Sequence, residues 1–556
     1  MTLRRAATAA LYALFVAAPP AAGQRALGIG GDASTLPRGV ARFSAGALWE
    51  RANERYAADG KLYALGASAS ATSWNGRYDD RLAAATPLVA TLSGVAAFDA
   101  SLGTLAVGRR DGAADAVFSA AVGVFDRLTV GAQLRAANHA MEPRVTLNPG
   151  RVEGTVGFNP AWTNTGARDR NALLLSQFDS AVAQTTRRIT QCQASPATAG
   201  CSSINANVAG AQALVGSAAS FATTLNRLYG GRKNAVGLPF VPLASGVAQS
   251  AIVQRVLGYR DQFAAFGNSS IGADGPAAAA LFSPADLVTL LSDSLYGYLM
   301  RPVRTVHAYG LGEVSLRAKL RVFDMLGSDT AVIAGFAVRQ AVAASLRLKG
   351  GTAPDPAEPF APVTGEPGGG VTVQSFTDLF YGRRWSATVA AGIELPSSTD
   401  YALRLPSATA PMVGGEGFPL QDASREVRFT LRPASRLDLR ITPRVAMTSN
   451  ILLGASWSLS RQAKNRWNAL AEGGRSGTWS VTDLSAWADG TDWTEQRLSL
   501  GGTYSTVAAS RGGRAKLAFD VSFEHEQTIA GTGWRVAHVS RDVVTVRWYP
   551  RMWGRR

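Results

Sequence analysis

Lysine, histidine and cysteine are scarce in this 556-residue chain. The lysines are Lys61, Lys233, Lys319, Lys349, Lys464 and Lys516, so arginine supplies most of the 56 basic side chains. The net charge of +16 admits nucleic acid, anionic lipid or an anion-selective interior as a partner. No dense basic run, zinc spacing or aromatic RNA-binding motif is present, which argues against nucleic acid. The histidines are His139, His307, His525 and His538. Only Glu524-His525-Glu526 looks like a general-base arrangement. In a strand, however, successive side chains take opposite faces, so His525 turns away from both carboxylates. GxSxG, HExxH and Walker patterns are missing. Asp111, Asp489 and Asp492 lack the spacing of a calcium loop. The expectation is no enzyme and no cofactor.

Long apolar runs are also missing beyond the N-terminus. Arg4 and Arg5 precede an apolar stretch at 6–18, Pro19 and Pro20 break it, and Ala21 and Gly23 supply small residues. This reads as a signal peptide over 1–23, cleaved before Gln24. No later stretch offers about eighteen uninterrupted apolar residues, so no membrane-spanning helix is expected. Cys192 and Cys201 are the only cysteines. In an exported chain they read as a disulfide closing a small loop.

What is present is alternation. At 118–134, Phe118, Ala120, Val122 and Val124 alternate with Ser119, Ala121 and Gly123. Leu128, Val130, Ala132 and Leu134 then alternate with Thr129, Gln133 and Arg135. Phe125-Asp126-Arg127 is the only link. Period two on both sides of a short polar link is a β-hairpin. It fits a half-buried soluble sheet or a transmembrane hairpin.

Similar segments follow in order, and they predict strands near 40–50, 61–71, 98–108, 115–124, 127–137, 304–322, 330–346, 373–381, 385–395, 425–445, 450–460, 494–505, 514–526 and 535–549. Arg109-Arg110-Asp111-Gly112 reads as a turn. Between 139 and 303 the spacing becomes helical. Leu214, Ala218, Phe221, Leu225 and Leu228 form one stripe, and Ile252, Val256, Tyr259 and Phe263 another. Ser283-Pro284-Ala285-Asp286 is a helix start with a capping serine and proline at the first position.

Three features favour a membrane barrel over a soluble sandwich. Short links (125–127, 324–329, 382–384) take turns with long ones (140–302, 347–372, 396–424, 462–493), as in outer-membrane barrels. The face opposite the apolar one is often charged. Aromatics such as Trp49, Trp385 and Trp548 sit at strand ends like an interface girdle. The expected fold is an all-β transmembrane, closed antiparallel up-and-down β-barrel of about 14 strands, with 12 as the alternative, carrying an α-helical insert. Its parts are a periplasmic tail at 24–38, barrel segments at 39–138 and 304–556, and an extracellular insert at 139–303. Leu128, Val130, Ala132 and Leu134 then face lipid. Thr129, Gln133, Arg135, Arg317, Lys319, Arg321, Lys516, Asp520 and Glu524 are the expected lumen-lining residues.

The phrases GVFDRLTVGAQL, Tyr309-Gly-Leu-Gly-Glu313 leading into VSLRAKLRV, and Ala391-Gly-Ile-Glu-Leu-Pro396 carry a resemblance. The chain resembles Gram-negative outer-membrane transporter barrels of the family associated with the meta-pathway of phenol degradation, and distantly the long-chain fatty-acid transporters. The resemblance implies passive uptake of small hydrophobic or aromatic molecules, with outer-membrane lipid and lipopolysaccharide as surroundings. A general porin for polar or anionic solutes, or a barrel displaying its helical insert, are the alternatives. The insert departs from the family pattern, as do Gly554-Arg555-Arg556 after the terminal aromatic. The N-terminal tail does not match the fatty-acid transporters' plug.

Overall fold

The computed structural model describes residues 31–148, 154–230, 237–294, 297–326, 335–351, 354–362, 364, 368–382, 384–404, 420–421, 423, 426–469, 488, 491–511 and 513–553. The signal peptide expected at 1–23 lies outside them, as do 24–30 of the tail.

The strands at 41–56 (β1), 105–125 (β2), 128–147 (β3) and 306–324 (β4) begin the wall. They are followed by 336–347 (β5), 370–381 (β6), 385–396 (β7) and 436–446 (β8). The last four are 451–462 (β9), 493–505 (β10), 519–532 (β11) and 536–548 (β12). These twelve belong to one thirteen-stranded sheet, and the short strand Leu62–Ala64 is an appendage on β1. Every neighbour in the wall is antiparallel, and β12 pairs back onto β1 from Phe43↔Trp548 to Tyr56↔Val536. Closure leaves no sheet edge within lipid, where an unpaired backbone group has no partner. Both ends of the barrel wall lie on the short-turn side.

The count is twelve, not about fourteen, because two expected strands do not stand alone. Residues 109–112 pair in register with 140–143, so the expected turn is continuous strand and 98–108 fuses into β2. Arg109 and Asp111 share one face and form an ion pair at 3.0 Å, so the polarity that looked like a turn is one charged side of a strand. The stretch at 61–71 yields only Leu62–Ala64 and a 3₁₀ turn. The expected strand at 425–445 breaks at Pro433. Its first half, Glu426–Arg432, joins a separate three-stranded sheet with Thr399–Arg404 and Arg466–Ala469, and only the second half enters the wall.

Above the long-link end sits a helical cap. It contains Asp80–Ser93 (α1) from the β1–β2 link and, from the β3–β4 link, Thr165–Ala194 (α2), Val208–Tyr229 (α3), Val247–Ala265 (α4) and Pro284–Ser292 (α5). Leu82, Val89, Phe178, Leu225, Ile252 and Leu290 are buried in one core spanning these helices. The expected cap of α5 is present: Ser283 and Asp286 form a reciprocal capping box. β3 continues to Leu147, beyond the point where alternation was expected to stop. Met141, Val145 and Leu147 from its upper part pack against the cap core. Tyr298 donates its phenol hydrogen to Asp79, joining the end of the insert to the start of α1. Burial, with the Asp79 carboxylate beside it, holds that phenol well above its ordinary pKa, so it remains a donor. Cys192 and Cys201 are disulfide-bonded and buried, with Cα atoms 5.4 Å apart.

Candidate functional site: the barrel interior

Alternation assigns one face of each strand to lipid and the other to the interior. Leu316, Leu320, Leu500, Phe523 and Trp548 are exposed on the outer side. Charged and small residues occupy the inner one.

The expected lining residues fall as follows. Thr129, Gln133 and Arg135 share the inner face of β3, where Thr129 Oγ1 accepts the Leu36 N–H at 2.7 Å. Arg135 Nε donates to the buried Asp115 at 2.7 Å, and His139 Nε2 lies 3.3 Å from the same carboxylate. On β4, Lys319 donates to the Asp32 carbonyl at 2.7 Å and Arg321 pairs with Asp324 at 2.9 Å. Arg317 is on the same face and makes no ion pair among the described residues. Asp520 accepts from Tyr549 at 2.8 Å, and Glu524 accepts from Ser499 at 2.6 Å. Lys516 lies outside the wall, exposed in the connection before β11. His525 faces outward, 2.8 Å from Asp542, with Glu524 and Glu526 on the inner side.

Sequence reading missed the densest cluster. Arg339 on β5 and Asp378 on β6 are both fully buried and paired, with Nε at 3.0 Å. Thr388 donates to Asp378 Oδ1 at 2.6 Å, and Arg444 donates to Thr388 at 2.7 Å. Each occupies the inner position of its strand, so the alternation held the signal. Nothing local pairs them. A second ladder runs on the opposite wall, where Arg497 and Arg541 both reach Glu526, at 2.8 and 3.0 Å, and Arg541 also pairs with Glu50.

The tail completes the first cluster. Its described part, 31–38, hydrogen-bonds to inward-facing side chains around the short-turn end. Ala33 N–H donates to Asp378 at 3.0 Å, and Arg444 donates to the Gly31 carbonyl at 2.9 Å. Thr35 donates to the Asp126 carbonyl at 2.8 Å, and the Arg38 N–H donates to the Asp126 carboxylate at 2.9 Å. The β2–β3 turn thus holds the point where the segment enters. Gly123 lets it pass, since a Cβ there would lie 2.2 Å from the Pro37 carbonyl oxygen.

Closure, the apolar outer face and the charged inner face decide the class. The chain is an outer-membrane β-barrel. No family model matches its sequence, and no curated protein matches it. Among solved structures this barrel is similar to an outer membrane channel from Pseudomonas putida F1, at 8% identity and TM-score 0.39, covering 94% of this chain and 99% of that one. It is also similar to the CymD monoaromatic hydrocarbon channel, at 10% identity and TM-score 0.26, over 94% and 90% of the two chains. The Pseudomonas putida toluene transporter TodX matches at 9% identity and TM-score 0.21, over 93% and 90%. At these values the barrel assignment rests on this chain's own strand pairing.

Proposed function

We propose that this barrel is a channel for passive uptake of small hydrophobic or aromatic molecules across the Gram-negative outer membrane. The observation that carries the channel reading is the division of the wall. The outer face is apolar, while the inner face bears charges that need water or partners, as in a wet interior. The aromatic preference draws support from the sequence resemblance. It also draws support from two inward rings, Phe376 under Lys319 at 4.7 Å and Phe380 under Arg339 at 5.3 Å.

The same inner charges favour a second reading, a porin for polar or anionic solutes. Reconstituted protein in liposomes separates the two. Benzyl alcohol, benzoate and a neutral hexose are followed by swelling or tracer uptake. The first reading expects both aromatics to outpace the hexose. Faster hexose entry would favour the porin, and no entry of any solute would remove both.

A further inference from the structure

We propose that Arg42 and Arg317 form a subsite for the carboxylate of a small organic anion inside the barrel. The proposal rests on the channel reading and names a solute class for it. Arg42 on β1 pairs with Ala121 on β2, Ala121 with Gly131 on β3, and Gly131 with Arg317 on β4. The four positions form one row on the inner face. Between the two arginines the wall presents a methyl group and a hydrogen. Three strand spacings place their Cα atoms about 14 Å apart. An arginine side chain covers about half of that, so both guanidinium groups reach the space above the Ala121–Gly131 floor.

These two cations differ from most others on the inner wall, and unlike Arg440, which also has no ion pair among the described residues, they share one row. Arg135, Arg339 and Arg541 each hold a carboxylate. Neither Arg42 nor Arg317 forms an ion pair among the described residues. Arg42 lies close enough to repel both Arg317 and Lys319, while Glu313 attracts Arg317 and Asp520 attracts Arg42 without contact in either case. Arg317 is exposed within the barrel. A half-buried Arg42 and an exposed Arg317, neither in contact with a carboxylate among the described residues, can share one oxyanion across the small-residue floor, each offering a planar fork of donors.

The neighbouring row explains the position. There Thr129 pairs with Lys319, and both bind the tail, through Leu36 N–H and the Asp32 carbonyl. The subsite therefore lies two residues along the strands, about 7 Å, on the cap side of the tail. A solute entering from the long-link end meets the arginines just before that segment.

Calorimetric titration of the full-length protein in detergent tests this with benzoate, benzyl alcohol and inorganic phosphate. Benzoate should bind more tightly than the other two. R42Q and R317Q should each weaken benzoate by about tenfold, as loss of a charged hydrogen bond does, without altering benzyl alcohol. Retained heat-modifiable migration shows that the variants are folded. Unchanged benzoate affinity in the folded double variant would overturn the proposal. Phosphate binding as tight as benzoate, with the same arginine dependence, would overturn the organic-anion assignment. Failure of the channel reading looks different: no solute crosses liposomes, yet arginine-dependent benzoate binding persists.

Discussion

The buried carboxylate of Asp378 accepts the backbone N–H of Ala33, 345 residues earlier in the chain, at 3.0 Å. The N-terminal segment is thus held by the same side chain that neutralises Arg339. With Lys319, Thr129 and Arg444 also bonded to it, the segment lies across the short-turn end of the interior. Deleting 31–36 should raise single-channel conductance in planar bilayers several-fold while leaving the barrel closed, since no wall strand is touched. Equal conductance with and without the segment would show that it does not obstruct the path.

Gly123 gives a subtler version of that experiment. A Cβ at this position would approach the Pro37 and Leu36 carbonyl oxygens at 2.2 and 2.4 Å, both backbone atoms without a flexible end to yield. Gly123→Ala should displace the segment and raise conductance toward the deletion value. Gly108→Ala is the control, because nothing lies within 4 Å of its Cβ position. If the two alanine variants conduct alike, the close approach at Gly123 does not hold the segment in place.

The Arg339–Asp378 pair should behave as a buried ion pair. Asp378→Asn leaves Arg339 buried without its counter-charge and also weakens the bonds from Thr388 and Ala33. The expected loss is about 3–5 kcal/mol in denaturant unfolding followed by tryptophan fluorescence. Replacing both members with apolar residues of similar volume should cost less than either single change. Additive losses in that double-mutant cycle would show that the two side chains do not stabilise each other.

Much of the wall was legible in the chain because lipid on one side and water on the other force a period of two. The 118–134 hairpin, its short link and the facing of Leu128 against Thr129 follow from that constraint alone, although Phe125, read as part of the link, ends the strand and leaves two residues between. The strand number was less legible. At 109–112, charge on one face of an extended strand imitates a turn, and only pairing with 140–143 distinguishes them. The interior cluster was hardest. Arg339, Asp378 and Arg444 each sit at a predictable inner position, yet their convergence depends on barrel closure and on a tail with no periodicity. The helices announced themselves by apolar stripes, but that α1 packs with α3 and α4 is a tertiary fact.

The Cys192–Cys201 bond closes a loop with a sequence separation of 9 between α2 and α3. The short loop limits the entropy it removes from the unfolded chain to about 2–3 kcal/mol. Cys192→Ser with Cys201→Ser should therefore loosen the cap, seen as faster proteolysis within 195–207. Heat-modifiable migration of the barrel should stay the same, because no wall strand packs on that buried cluster. Loss of barrel migration in this variant would tie cap folding to wall closure.

Gln133 and Leu134 test the facing of the wall with one substitution at adjacent positions. Gln133 pairs with Ser119 and Ser315 on the inner face, whereas Leu134 pairs with Phe118 and Val314 on the outer one. An arginine at 133 enters an interior already built around guanidinium groups. An arginine at 134 must leave water for hydrocarbon, at about 2–4 kcal/mol near the bilayer midplane. Gln133→Arg should fold into lipid vesicles with near-native yield, and Leu134→Arg should show a clearly reduced unfolding free energy. The reverse order would turn the hairpin inside out and, through the continuous register, every other strand with it.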